Sequence, residues 1–201
     1  MKKSNIRRKT FVVREDLLDR VGKIAKEQCS SQFELINELF QLVIDSDELK
    51  FSLKRVVEDR KIIETAKVSG FVLGLERLWY DLADVAYAKD KRASLRNWFE
   101  SGVWFATRYT TSGVTSSPFD QFRNDLSAFT WNAPELKFEL TGENVSINVT
   151  SPRFTEGYTF LFASFIVGAM EKFGYKTVKQ EISRGIIRLN VVRSGKEDGT
   201  A

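Results

Sequence analysis

Apolar residues in the first third of the chain recur with the three-to-four spacing that puts them on one face of a helix. Over residues 15–28 they are Leu17, Leu18, Val21, Ile24 and Ala25, with Glu15 and Asp16 placed favourably at the positive end of the helix dipole. A second helix is predicted from Ser31, whose hydroxyl can cap it while Glu34, three residues on, closes a capping box. Leu35, Ile36, Leu39, Phe40 and Val43 give that helix a broad apolar face. Ahead of both helices, Lys-Thr-Phe-Val-Val-Arg alternates with period two and predicts a strand. Lys9, Phe11 and Val13 then point one way, with Phe11 and Val13 as the buried face, and Arg8, Thr10 and Val12 point the other.

Beyond residue 46 the pattern predicts a charged connector helix at 47–69, striped by Leu49, Leu53, Val56, Val57, Ile62 and Ile63. This stripe suits either a symmetry mate or the following domain. Helical patterns continue over 71–86, with Leu75, Leu78, Trp79, Leu82 and Val85 on one face, and over 92–109, with Leu95, Trp98, Phe99 and Phe105. Gly70 and Gly74 lack the lysine and hydroxyl residue of a phosphate loop and read as small residues for close helix packing. Ser117-Pro118-Phe119-Asp120 predicts another helix start, and that helix should end near Phe129. After Pro134 the period changes to two across a Gly-Glu-Asn turn, then an apolar helix fills 155–173, and a second hairpin follows Gly174.

The predicted fold class is α+β. An N-terminal dimerisation module of one strand and two helices occupies 1–46, the connector 47–69, a helical layer on an antiparallel ββαββ sheet 70–193, and a flexible tail 194–201.

Charge sharpens this picture. Lys2, Lys3, Arg7, Arg8, Lys9 and Arg14 are six of the 31 basic residues and meet no acid in the first fourteen positions, so the rest of the chain is slightly acidic. That is the distribution of a docking arm. Histidine is absent and Cys29 is the single cysteine, which removes most general-base, thiol and zinc arrangements, so the expectation is a non-enzymatic protein with no cofactor and no metal. Cys29 is expected to be a small buried packing residue in the turn between the first two helices. No apolar run reaches the roughly 20 residues needed to span a bilayer, and the expected location is a reducing cytoplasm.

The stretch from the alternating strand through the capped second helix, residues 7–44, resembles the ribbon-helix-helix family of DNA-binding proteins. A unit of roughly forty residues hides too little surface to stand alone, which agrees with dimerisation. The resemblance implies that two chains pair their strands into a ribbon lying in the major groove of double-stranded DNA. Arg8, Thr10 and Val12 would face base edges, while Lys2, Lys3, Arg7 and Lys9 attract the backbone and the amides around Ser31 and Gln32 clamp a phosphate.

The later part, with Gly168 and Ala169 inside the apolar helix followed by Gly174, Tyr175 and Val178, resembles the vinyl-reductase-type domain and its relatives in vesicle-tethering complexes. That resemblance implies a sensory or dimerising domain. Trp79, Trp98, Trp104, Phe162 and Phe165 would line an apolar pocket for a small lipid-like or aromatic ligand, or else form solid core; the latter is the commoner use of such residues, and periodicity does not separate the two.

The function expected from these features is a dimeric or tetrameric, sequence-specific transcriptional regulator with a C-terminal domain for ligand sensing or oligomerisation. The alternative is a scaffold protein, or a nucleoid organiser with little sequence preference.

Overall fold

The computed structural model describes residues 10–72, 74–111 and 117–194. Among these residues the chain forms seven helices and one four-stranded antiparallel sheet. In chain order these are α1 (Glu15–Glu27), α2 (Gln32–Glu48), α3 (Leu53–Val68), α4 (Glu76–Lys89), α5 (Lys91–Thr111), α6 (Pro118–Phe129), β1 (Glu135–Thr141), β2 (Asn144–Thr150), α7 (Glu156–Lys172), β3 (Tyr175–Ser183) and β4 (Ile186–Arg193). Two compact units divide within α3, at Lys61 and Ile62.

The first described element is α1, which overturns the expected N-terminal ribbon: residues 10–14 form no strand. A strand is held by hydrogen bonds to a neighbouring backbone, and the described part of the first unit contains only helices to offer one. Phe11 and Val13, expected on a buried face, are exposed, and Phe11 instead meets Phe40 edge-on with ring centroids 5.4 Å apart. Lys2, Lys3, Arg7, Arg8 and Lys9 lie outside the described residues.

Within the first unit, α1 and α2 are joined by a tight turn at Cys29, whose φ of 54° lies in the left-handed region. Cys29 is exposed there, contrary to its expected burial, because a turn residue with that backbone points away from the helix contact. Gln32 fastens the two helices, donating from Nε2 to the Leu18 carbonyl at 3.0 Å beside Gly22. Among the described residues of this unit only Ala25 and Ser46 are buried, whereas Phe33, Leu39, Phe40, Leu42, Val43 and Ile44 along α2 all remain exposed.

The second unit is built around α7. The sheet order is β1-β2-β4-β3, so β2 and β4 occupy the centre. They turn Val145, Ile147, Val149, Ile187, Leu189 and Val191 to one face, where each is essentially inaccessible. Phe162, Ile166, Ala169 and Met170 of α7 join these residues in the core. The strongly apolar α7 can be buried on several sides because α5 and α4 contact it as well as the strands. Gly102 of α5 and Gly168 of α7 let the two backbones approach: a Cβ on either would stand 2.0 or 2.1 Å from a carbonyl oxygen of the other helix. Asp84 of α4 accepts a hydrogen bond from the Gly157 amide in the first turn of α7 at 2.9 Å.

Two details differ from the sequence expectation. The α4 stripe of Leu78, Trp79, Leu82 and Val85 faces outward, and Tyr80 and Ala83 are the buried residues of that helix. Gly70 and Gly74 do not lie inside helices: Gly70 follows α3 with φ of 82°, and Gly74 lies under the indole of Trp79, where a Cβ would come within 2.1 Å of Nε1.

Candidate functional site

Helix α2 begins with the capping box that its sequence spacing predicts. Ser31 Oγ accepts from the Glu34 amide at 3.1 Å, and the Glu34 carboxylate accepts from the Ser31 amide at 3.0 Å. These bonds hold the Glu34 carboxyl below the ordinary carboxylate range, with the backbone bond from Ser31 the main cause. The cap therefore uses the Ser31 amide and places a negative charge at the site expected to clamp phosphate, while the Gln32 side chain is committed to Leu18. The amides of Gln32 and Phe33 point from the remaining part of this turn. Of the expected base-reading residues, Thr10 and Val12 are described and exposed, Val12 fully so, while Arg8 lies outside the described residues.

A cleft of about 710 Å³ opens in the second unit. Trp79, Trp98, Trp104, Phe162 and Phe165, named from the sequence, all line it, and Trp131 completes the set of the chain's four tryptophans. Three separate elements supply them: Trp79 comes from α4, Trp98 and Trp104 from α5, Phe162 and Phe165 from α7. Phe162 stacks on both Tyr158 and Phe165, with interplanar angles of 18° in each pair, forming a continuous aromatic wall along α7. A volume of this size and lining belongs to the range of small-molecule sites, roughly 300–1,000 Å³.

One side of the cleft is polar. Tyr80 Oη donates to the Glu76 carboxylate at 2.5 Å, and Arg153 neutralises the same carboxylate at 2.9 Å. Asn132 Nδ2 donates to the hydroxyls of both Tyr80, at 3.2 Å, and Tyr158, at 3.3 Å. Burial, followed by the bond to Glu76, pushes the Tyr80 phenol above the ordinary tyrosine range, and burial does the same to Tyr158. Both hydroxyls are thus neutral hydrogen-bonding groups at physiological pH. The Tyr158 proton has no acceptor among the described residues, which leaves one donor for a bound molecule. Sequence reasoning missed this polar set, since Asn132 lies 52 residues from Tyr80 and 26 from Tyr158.

Among the described residues no group of three or more histidine, cysteine, aspartate or glutamate side chains is arranged to hold a metal ion. No helix among them is long and apolar enough to cross a membrane. No family model, no curated protein and no solved structure matches the chain, so its functional reading rests on its own residues.

Proposed function

We propose that this protein is a non-enzymatic, dimeric, DNA-binding transcriptional regulator whose second unit senses a small apolar ligand. The observation that carries the reading is the pairing, in one chain, of a basic N-terminal arm with an aromatic cleft of ligand size. The arm leads into the capped two-helix unit through Thr10 and Val12, which stand open to solvent and have extended backbone at Arg14 behind them. Lys2, Lys3, Arg7, Arg8 and Lys9 supply phosphate attraction, and Arg8, Thr10 and Val12 meet base edges as an arm. The exposed apolar face of α2 supports self-association, because a solvated face bearing Leu39, Phe40 and Val43 gains by burial against a second copy.

Gel-shift titration against genomic fragments over a range of salt tests this reading. Specific binding should appear above a background whose affinity falls steeply with salt. Binding with no sequence preference would favour a nucleoid organiser, and no binding at low salt would remove DNA from the proposal.

A further inference from the structure

The two edges of the sheet, β1 and β3, are built differently. The register of β3 against β4 shifts between Thr177 and Lys179, and Val178 at that shift is exposed. A bulge of this kind interrupts the ladder and keeps a further strand from adding. Ser194, the last described residue, lies on the same side, its amide donating to the Gly174 carbonyl at 2.8 Å. At the other edge β1 pairs with β2 over all seven residues without a break, and among the described residues no strand lies on its outer side. Every second residue of β1 therefore directs its N–H and C=O outward, in the geometry that receives another strand.

The side chains of β1 decide which strand fits. Leu136, Phe138 and Leu140 share the core face, opposite Val149, Ile147 and Val145 of β2. Leu140 stays exposed while Val145 is buried, so apolar surface is left at this edge. Glu135, Lys137 and Glu139 share the outer face, where β2 sets Asn148 against Lys137 and Ser146 against Glu139. Lys137 meets Glu135 along its own strand at 2.6 Å. Two opposite charges thus flank Phe138, and the ladder partners of both in β2 are neutral.

We infer that β1 is a docking edge for β1 of a second copy, antiparallel about a two-fold axis at Phe138. A two-fold contact makes each strand its own complement, and few registers allow that here. An axis between two residues would set apolar side chains against charged ones. An axis at Lys137 or Glu139 places a charge against its own copy. An axis at Leu136 or Leu140 runs Phe138 onto Pro134 or onto the Gly142 turn, where the ladder stops. At Phe138 all seven residues pair, Leu136 meets Leu140, and Lys137 meets Glu139 twice, once on each side of the axis. The contact is separate from the α2 face and, being one strand wide, is the weaker of the two. Together they build tetramers from dimers.

The test uses the full-length chain carrying Phe40→Asp, so that the α2 face does not contribute and the failure of either interface is read apart from the other. Sedimentation velocity at rising concentration should show this chain dimerising. Lys137→Glu or Glu139→Lys, added alone, sets like charges together twice and should weaken that dimer about tenfold or more, with circular dichroism unchanged. Mixed in equal amounts, the two variants are complementary again and should associate as tightly as the parent. The chain carrying both changes should do so by itself. A parent that stays monomeric at high micromolar concentration overturns the proposal and leaves the edge to a strand of another protein. Single variants that dimerise like the parent, or a mixture that stays monomeric, overturn it as well. If a single variant does not fold, the doubly substituted chain decides, and a folded monomer overturns the register.

Discussion

Gly102 and Gly168 are reciprocal partners where α5 crosses α7: a Cβ on Gly102 would stand 2.0 Å from the Phe165 carbonyl oxygen, and one on Gly168 2.1 Å from that of Phe99. Each glycine accommodates the backbone of the other helix, and neither obstruction is a side chain that could swing away. Replacing Gly168 by alanine gains about 1 kcal/mol of helix propensity. The forced separation of a packed core costs more, typically about 1–3 kcal/mol. Gly168→Ala and Gly102→Ala should therefore both lower stability in urea unfolding, and a stabilised variant would show that the helices do not cross here.

The α2 capping box carries a pH signature. Because the folded protein holds the Glu34 pKa below its ordinary value of 4.5, the cap's contribution is present at pH values above 4.5 and lost as pH falls through the lowered value. Ser31→Ala should cost about 1 kcal/mol at neutral pH. The difference between wild type and Glu34→Gln should shrink as the solution is acidified below the carboxylate range, read by helical ellipticity.

Tyr80 works in the opposite direction. Its pKa is raised in the fold, so its contribution is complete below the ordinary phenol value of 10.0 and fades as alkaline pH ionises the unfolded chain preferentially. Thermal unfolding of wild type should lose stability above pH 10, and Tyr80→Phe should flatten that alkaline limb. An unchanged limb would place the alkaline sensitivity elsewhere.

Because all four tryptophans line the aromatic cleft, intrinsic fluorescence reports directly on its occupant. A neutral naphthalene probe should quench that emission saturably. Among matched probes, one with a carbonyl oxygen should bind about two- to tenfold tighter than its hydrocarbon analogue, through the open Tyr158 donor. Tyr158→Phe should erase that preference while leaving hydrocarbon affinity intact.

Self-association through α2 is testable by one charge. Phe40 and Val43 are half exposed on that helix. Phe40→Asp should shift the sedimentation coefficient from dimer toward monomer and weaken DNA binding with it, since two half-sites gain affinity only when linked. A monomeric wild type at micromolar concentration would refute this interface.

Much of the second unit is legible residue by residue. Ser117, Pro118 and Asp120 announce the start of α6, and Ser117 Oγ accepts from the Asp120 amide there. The period-two runs mark β1 to β4 because alternation reports a sheet with one buried face. The same reasoning failed at residues 10–14, since alternation shows that a segment is suited to pairing but says nothing of whether a partner strand exists. It failed again on α4, where the more apolar stripe faces outward and Tyr80 and Ala83 pack inward.

The sequence by itself determined the capped starts of α2 and α6, the alternating runs of the four strands, the extent of α7, and that charge gathers at the N-terminus, because caps, periods and local charge act over a few residues. The tertiary structure alone decided the β1-β2-β4-β3 order, the seating of Gly102 against α7, and the gathering of four tryptophans into one cleft. These depend on contacts between residues far apart in the chain. Hydrophobic burial drives such contacts without direction, so only the packed whole selects which partners meet.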